Sequence, residues 1–522
     1  MFDLLFKNAK VVDGTGTPWY VADVAVHAGK IAKIGKISES AAKKVINAEG
    51  NVLSPGFIDT HSHSDYGILR HKYNESRILQ GVTTELVGDC GSSPFPISPK
   101  RIEEIEKTIE MKVDWADAKG YLGKVEQNGT SVNFATLAGH GTIRGFVMGY
   151  EDKAPTPDEL EKMRKIAAEC MDAGCFGLSS GFIYTPGCFA TNEEVIEIAK
   201  VVSEYGGLYK THMRHEGDKV MQSVEDSIEL GRVAKLPVQI DHHKVTGRKN
   251  WKYKAHATVA NIKRARESGI DVTVDQYPYR ASATSLNTTL SQWVLEGGTP
   301  EMLKRLKDPG LRPKIIEEMR KSFAWNQKIW SDVFITSVPG EKNAWVKGKN
   351  ILEIAEKLGK DPFDAAVDLL IEEEGRVSQL SFGMCEEDIE LIMQQPFTMI
   401  GSDGGCASLE TKDFLHPRTF GTFPRVIAEY ARNRKLISLE TAIHKMTGFP
   451  AARMGLSDRG LIKVGMCADL VLFDYEKIND TPSFTKSNVP CEGIIQVYVN
   501  GVLTAENGVH TKQTAGKVLR KA

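Results

Sequence analysis

Two histidines two residues apart, His61 and His63, stand in the segment FIDTHSHSD (57–65), flanked by Asp59 and Asp65. In an extended strand the side chains at i and i+2 leave the same face, so both imidazoles can reach one point in space. Other chemistry-bearing residues close short apolar runs in the same way. Cys90 ends TELVGDC, His140 ends NFATLAGH and His212 ends LYKTH. His242 and His243 follow PVQID, Tyr277 ends DVTVDQY and Asp403 ends TMIGSD. Six of the 13 histidines thus lie where a strand would stop. Imidazole, thiolate and carboxylate together suit zinc, with three protein ligands per catalytic ion and a position left for water. His61, His63, Cys90, His212, His242 and Asp403 suffice for two neighbouring sites. Such a pair lowers the pKa of a water and polarises a carbonyl oxygen. Asp403 is then placed to take the water's proton and deliver it to a leaving nitrogen. Lys210 shares strand parity with His212, which leaves a carboxylated lysine as an alternative ligand.

The elements that must position these residues alternate strand with helix. Thr156-Pro157-Asp158-Glu159 is a capping box with proline at the first helical position, opening a helix that should stop near Gly174. Thr191-Asn192-Glu193-Glu194 repeats the box. Apolar runs at 57–63, 84–90, 133–140, 176–180, 208–212, 237–242, 271–277 and 398–403 give eight strands with helices between. This predicts an α/β protein, a (β/α)₈ TIM-type barrel whose site lies at the strands' C-terminal ends. No G-x-G-x-x-G loop follows an early strand, which disfavours a doubly wound sheet. The long gap before the last strand predicts an insertion at about 286–350, a candidate lid over the mouth. Residues 1–50 and 459–510 instead read as short β runs with glycine-rich turns, and Asn500-Gly501 is a hairpin signal. Neither end can close a core alone. The expected division is therefore a small β-sandwich of 1–55 plus 455–522 and a barrel of 56–454 that carries the donors.

The bulk properties are those of a globular chain: 522 residues, 41% hydrophobic, 26% charged, net charge −2. That balance gives no reason to expect nucleic acid or an acidic membrane as partner. No run approaches the roughly 20 apolar residues of a membrane helix. MFDLLFKNAKVVDG lacks a basic stretch followed by an apolar core, so no secretory leader is expected. Eight scattered cysteines favour free thiols and a cytoplasmic location.

The ordered motifs resemble the amidohydrolase superfamily, and within it the N-acyl-D-amino-acid deacylase (D-aminoacylase) family. The resembling stretches are HSHSD, GDCGSSPFP (88–96), THMRHEGD (211–218), QIDHHKVTG (239–247), DQYPYRASATSL (275–286), SDGG…HPRTFGTFPRV (402–426), HKMTGFPAARMGL (444–456) and VGMCADLVLFD (464–474). The resemblance implies zinc-dependent hydrolysis of the linear amide of a small-molecule N-acyl-D-amino acid. It implies that Cys90, His212 and His242 hold a tight zinc, while His61, His63 and Asp403 form a weaker second site. It also makes His242 the ligand of the 242–243 pair, with Lys244, Tyr277 and Arg280 as candidates for the substrate carboxylate. His140 is a further candidate beside the substrate. Ala283 stands where the family pattern often has serine. The rival readings are a cyclic-amide hydrolase of hydantoinase or dihydroorotase type, disfavoured because strand four (FGLSSGF) has no lysine, and a metal-free structural homologue. The oligomeric state is left open.

Overall fold

The computed structural model describes residues 1–521. Eight parallel strands carry the middle of the chain: β1 (Phe57–Asp59), β2 (Val82–Val87), β3 (Asn133–Thr136, resumed at Ala138–Gly139), β4 (Gly177–Gly181), β5 (Leu208–His212), β6 (Val238–Ile240), β7 (Val272–Gln276) and β8 (Thr398–Ile400). β1, β2 and β3 pair in that order, and from Ala138 onward the pairing runs through β4, β5, β6, β7 and β8. These are the eight runs expected from sequence. Beyond β8 the chain returns to β1: Gly404–Gly405 pairs in parallel with Ser62–His63, and the Asp403 amide donates to the His61 carbonyl at 2.8 Å. Val87, Phe134, Leu178, Tyr209, Val238, Val274 and Ile400 are buried in one hydrophobic core with the surrounding helices.

Helix boundaries follow their caps. Thr156 Oγ1 accepts from the Glu159 amide while the Glu159 carboxylate accepts from the Thr156 amide, and the helix runs Pro157–Asp172. The second box is only half formed. Thr191 caps the helix Asn192–Glu204, but the Glu194 carboxylate turns inward to His140 (2.9 Å) and Arg144 (3.2 Å).

The two ends of the chain build one continuous nine-stranded sheet, in which 52–55 from the first end lies between 2–11 and 470–473. Leu4, Phe6, Val24, Leu53, Leu470, Leu472 and Tyr498 pack together on it. The terminal β-domain, expected as a sandwich, is hydrogen-bonded into one sheet that forks along 2–11, whose first half pairs with 42–47 and second half with 52–55. Asn500 (φ 49°) and Gly501 (φ 82°) make the expected turn between 494–499 and 502–506.

Between β7 and β8 lies a unit with its own core, from Leu286 through Phe323 and Val333 to Val377. A three-stranded antiparallel sheet (281–285, 378–382, 333–337) ties it together. The unit therefore extends past the 286–350 expected, because the strand that closes its sheet comes after two further helices, Ile351–Leu358 and Pro362–Glu372. All eight cysteines are unpaired. No helix among the described residues is long and apolar enough to cross a membrane.

Candidate metal centre

The strand ends bring the sequence-derived donors together. Cys90 Sγ lies 3.5 Å from His61 Nε2 and 3.6 Å from both His212 Nδ1 and His242 Nε2. The last two nitrogens are 2.8 Å apart. On the other side, Asp403 Oδ1 is 3.0 Å from His63 Nε2 and 3.7 Å from His61 Nε2. Three of these residues have left-handed backbone: Cys90 (φ 53°), His242 (φ 34°) and Asp403 (φ 51°). Such conformations cost of order 1–3 kcal/mol each and concentrate at functional sites. Here each turns the chain sharply as it leaves its strand. The turn at Cys90 also requires a close approach, since a Cβ on Gly91 would fall 2.6 Å from the Gly181 amide nitrogen.

His242 faces this cluster, whereas His243 turns away to Thr258 Oγ1 (3.0 Å). Burial pushes His212 and His242 below the usual histidine range, so both rings are neutral. His61 behaves oppositely. Its burial is outweighed by Asp275, whose carboxylate sits 3.0 Å from Nδ1, with Asp89 and Asp241 adding to the effect. For His63, burial is outweighed by Asp403, and its pKa rises to about 10. Asp403 is held well below the carboxylate range despite burial, first by Arg418, whose Nη1 lies 2.6 Å from Oδ2.

Sequence reading missed the groups that hold these donors in place. Glu216 accepts from Lys244 Nζ (2.6 Å) and reaches His242 Nδ1 (3.2 Å). The Glu216 charge keeps the buried Lys244 protonated, so the lysine is already ion-paired. Lys210 lies under the centre, 2.6 Å from Asp89 and 3.3 Å from Asp241. It is an ammonium among carboxylates, and carboxylation would put a further anion in that buried group, which argues against the alternative ligand. Tyr277 lies between two cations, Arg418 at 4.7 Å and Lys244 at 5.7 Å from its ring, with a buried hydroxyl that has no hydrogen-bond partner among the described residues. Two expected contacts fall elsewhere. Arg280 is exposed between buried Tyr279 and Ala281, so its side chain leaves on the outer face. His140 is fully buried and held by Glu194, away from the donor cluster.

A model of the amidohydrolase family matches residues 44–505. The chain is 35% identical to D-aminoacylase of Alcaligenes xylosoxydans xylosoxydans over 525 residues, 100% of this chain and 98% of that one. A solved D-aminoacylase, studied for its binuclear metal centre, matches with a TM-score of 0.83 at 34% identity over 100% of both chains. The N-acyl-D-glutamate deacylase of Bordetella bronchiseptica, solved with zinc and a phosphonate mimic of its tetrahedral intermediate, gives the same TM-score at 30% identity over 99% of each chain. The motifs, the fold and these full-length matches agree: the chain belongs to the amidohydrolase family, among its N-acyl-D-amino-acid deacylases.

Proposed function

We propose that the protein hydrolyses the amide bond of N-acyl-D-amino acids with zinc as cofactor, releasing a D-amino acid and a carboxylate. The observation that carries this reading is the meeting of Cys90, His212 and His242 beside an ionised Asp403. Tetrahedral zinc with sulfur at about 2.3 Å and nitrogen at about 2.0–2.1 Å separates sulfur from nitrogen by roughly 3.6 Å and two nitrogens by roughly 3.3 Å. The Sγ–N distances of 3.6 Å fit, and the 2.8 Å between ring nitrogens needs only about half an ångström of widening. Cys90, His212 and His242 would hold the tight ion, and His61, His63 and Asp403 a weaker one.

Zinc so held supplies Lewis acidity, polarising the scissile carbonyl and acidifying water. The protein's own groups do the rest. Asp403, kept ionised by Arg418, accepts the proton of the attacking water through the carboxylate edge that faces His63. A carboxylate held below its usual range is a weak base, so it returns the proton readily to the departing amine. The substrate carboxylate falls to Tyr277 and to the cations on either side of its ring, Lys244 and Arg418, each of which faces one protein carboxylate, Glu216 or Asp403. We further read the eight parallel strands as a closed (β/α)₈ barrel of 56–454, with the terminal sheet as a second domain and the segment around 286–350 as a lid. The unpaired cysteines fit a reducing cytoplasm.

The D configuration rests on the relatives' substrates. A hydrolysis screen over N-acetyl and N-formyl D- and L-amino acids, with zinc measured on the same samples, tests the reading. Turnover confined to the D series by zinc-loaded protein is expected. Preference for L substrates, or activity on cyclic amides alone, would overturn it.

A further inference from the structure

An N-acyl amino acid extends in two directions from its scissile carbonyl, and the structure offers a separate space for each. Lys244, Tyr277 and Arg418 follow β6, β7 and β8, so the groups suited to the amino acid's carboxylate all lie on one half of the mouth. On that side a cavity of about 520 Å³ runs from Glu216 and Thr246 to Ser282, Thr284 and Gln379 of the inserted unit. The opposite half, built from the loops after β1 to β4, encloses a second cavity of about 440 Å³. His63 and Cys90 form part of its lining, so it opens directly onto the donor cluster.

The size and walls of this second cavity do not suit a small acyl group. Tyr66, Ile97, Ile105, Phe146 and Tyr184 line it, along with several hydroxyls and Arg101, whose guanidinium donates to Tyr150 Oη at 2.6 Å. At about 30 Å³ per water-sized group, its volume takes on the order of fifteen such groups. An acetyl substituent adds one methyl beyond the carbonyl carbon, and a formyl adds none. A space this large with aromatic and aliphatic walls recovers binding free energy only from a substituent that fills it, at about 25 cal/mol per Å² of apolar area removed from water.

Resting on the deacylase reading above, we propose that this cavity is the acyl subsite and that the acyl groups it selects are bulky and largely apolar. Arylacetyl groups and chains of about six to eight carbons fit the volume. With the amino acid's carboxylate held on the β6–β8 side, the acyl group has nowhere else to extend. Gly145 gives direct access to the wall of this space. It lies in the helix His140–Met148, and a Cβ there would come nearest to Pro186 Cγ at 3.6 Å and to Tyr150 Cζ and Oη at 3.8 Å, ordinary contact distances. A larger side chain at 145 therefore narrows the cavity without straining the backbone.

The experiment compares kcat/KM for N-phenylacetyl, N-acetyl and N-succinyl derivatives of one D-amino acid, in the wild-type zinc-loaded enzyme and in Gly145→Leu. A wild-type preference for phenylacetyl over acetyl of at least tenfold is expected. The phenylacetyl-to-acetyl ratio should fall at least tenfold in Gly145→Leu. A wild-type preference for acetyl, or for succinyl, would overturn the proposal, and that measurement needs no variant to fold. A ratio unchanged in a folded Gly145→Leu would overturn it as well. Absence of turnover on every N-acyl-D-amino acid, whatever the acyl group, would instead remove the deacylase reading on which the proposal rests.

Discussion

The two donor clusters at the mouth draw on the same side-chain type and place it in opposite surroundings. In the cluster of Cys90, His212 and His242, the ring nitrogens face a sulfur and each other. In the cluster of His61, His63 and Asp403, they face carboxylates: His61 meets Asp275 at 3.0 Å and His63 meets Asp403 at 3.0 Å. In the first set the lone pairs converge on one another, whereas in the second the inner edge of His63 is already paired with Asp403. A cation entering the second must part that pair, whereas one entering the first relieves crowded donors. That contrast supports a tight ion in the first cluster and a loose one in the second, and it shows that counting histidines does not rank metal sites.

Substitutions can break this contrast. The largest effect is expected at Asp403, the residue that serves chemistry in either case. Asp403→Asn should lower kcat by about 10³-fold or more while zinc at the first cluster stays in place. Near-normal turnover would remove Asp403 as the proton carrier. Cys90→Ala comes next, with most of the bound zinc lost on elemental analysis and kcat/KM down by roughly 10²–10³-fold. Full zinc content in that variant would show that the sulfur is not a ligand. Glu216→Gln then probes support at a distance. Losing the carboxylate beside His242 Nδ1 should weaken zinc binding about 10–100-fold in a chelator competition. An unchanged affinity would make Glu216 a partner of Lys244 alone. The smallest change belongs to the second cluster, where His63→Asn should cost no more than about tenfold in kcat/KM and leave the first zinc untouched. If His63→Asn strips zinc as fully as Cys90→Ala does, the ranking of the clusters is reversed.

Much of this centre was legible before any coordinates. The ligand candidates sit at the ends of hydrophobic runs, and parallel strands bring such ends to one face whatever the intervening loops do. The supporting charges were not legible, for a physical reason. Glu216 lies in a polar loop and Arg418 opens the helix Arg418–Arg425, places where a charged residue ordinarily means solvent, and only packing reveals that Arg418 is 5% exposed. Lys210, Asp241 and Asp275 lie in or just beyond the strands, and strand parity alone sets Lys210 on the same face as His212. What it could not supply is the pairing, since the three partners come from β2, β6 and β7. Glu194 misled for the opposite reason. Its sequence position fits a capping box, yet a buried histidine and arginine compete more strongly for its carboxylate than a surface amide does.

The sheet shared by the two ends also has a consequence in time. Strand 52–55 has its partner 2–11 close by in sequence, but its other edge awaits 470–473. The last described residues add a second late closure. The amide of Phe134 donates to Lys517, that of Leu519 donates to Phe134, and that of Lys521 donates to Gly174. A growing chain on the ribosome thus holds an open strand edge until 470–473 is made, and β3 lacks part of its cover until 517–519 is made. Such an edge invites pairing with a neighbouring copy. Interrupted translation or a clipped tail should therefore yield aggregates rather than a smaller working enzyme.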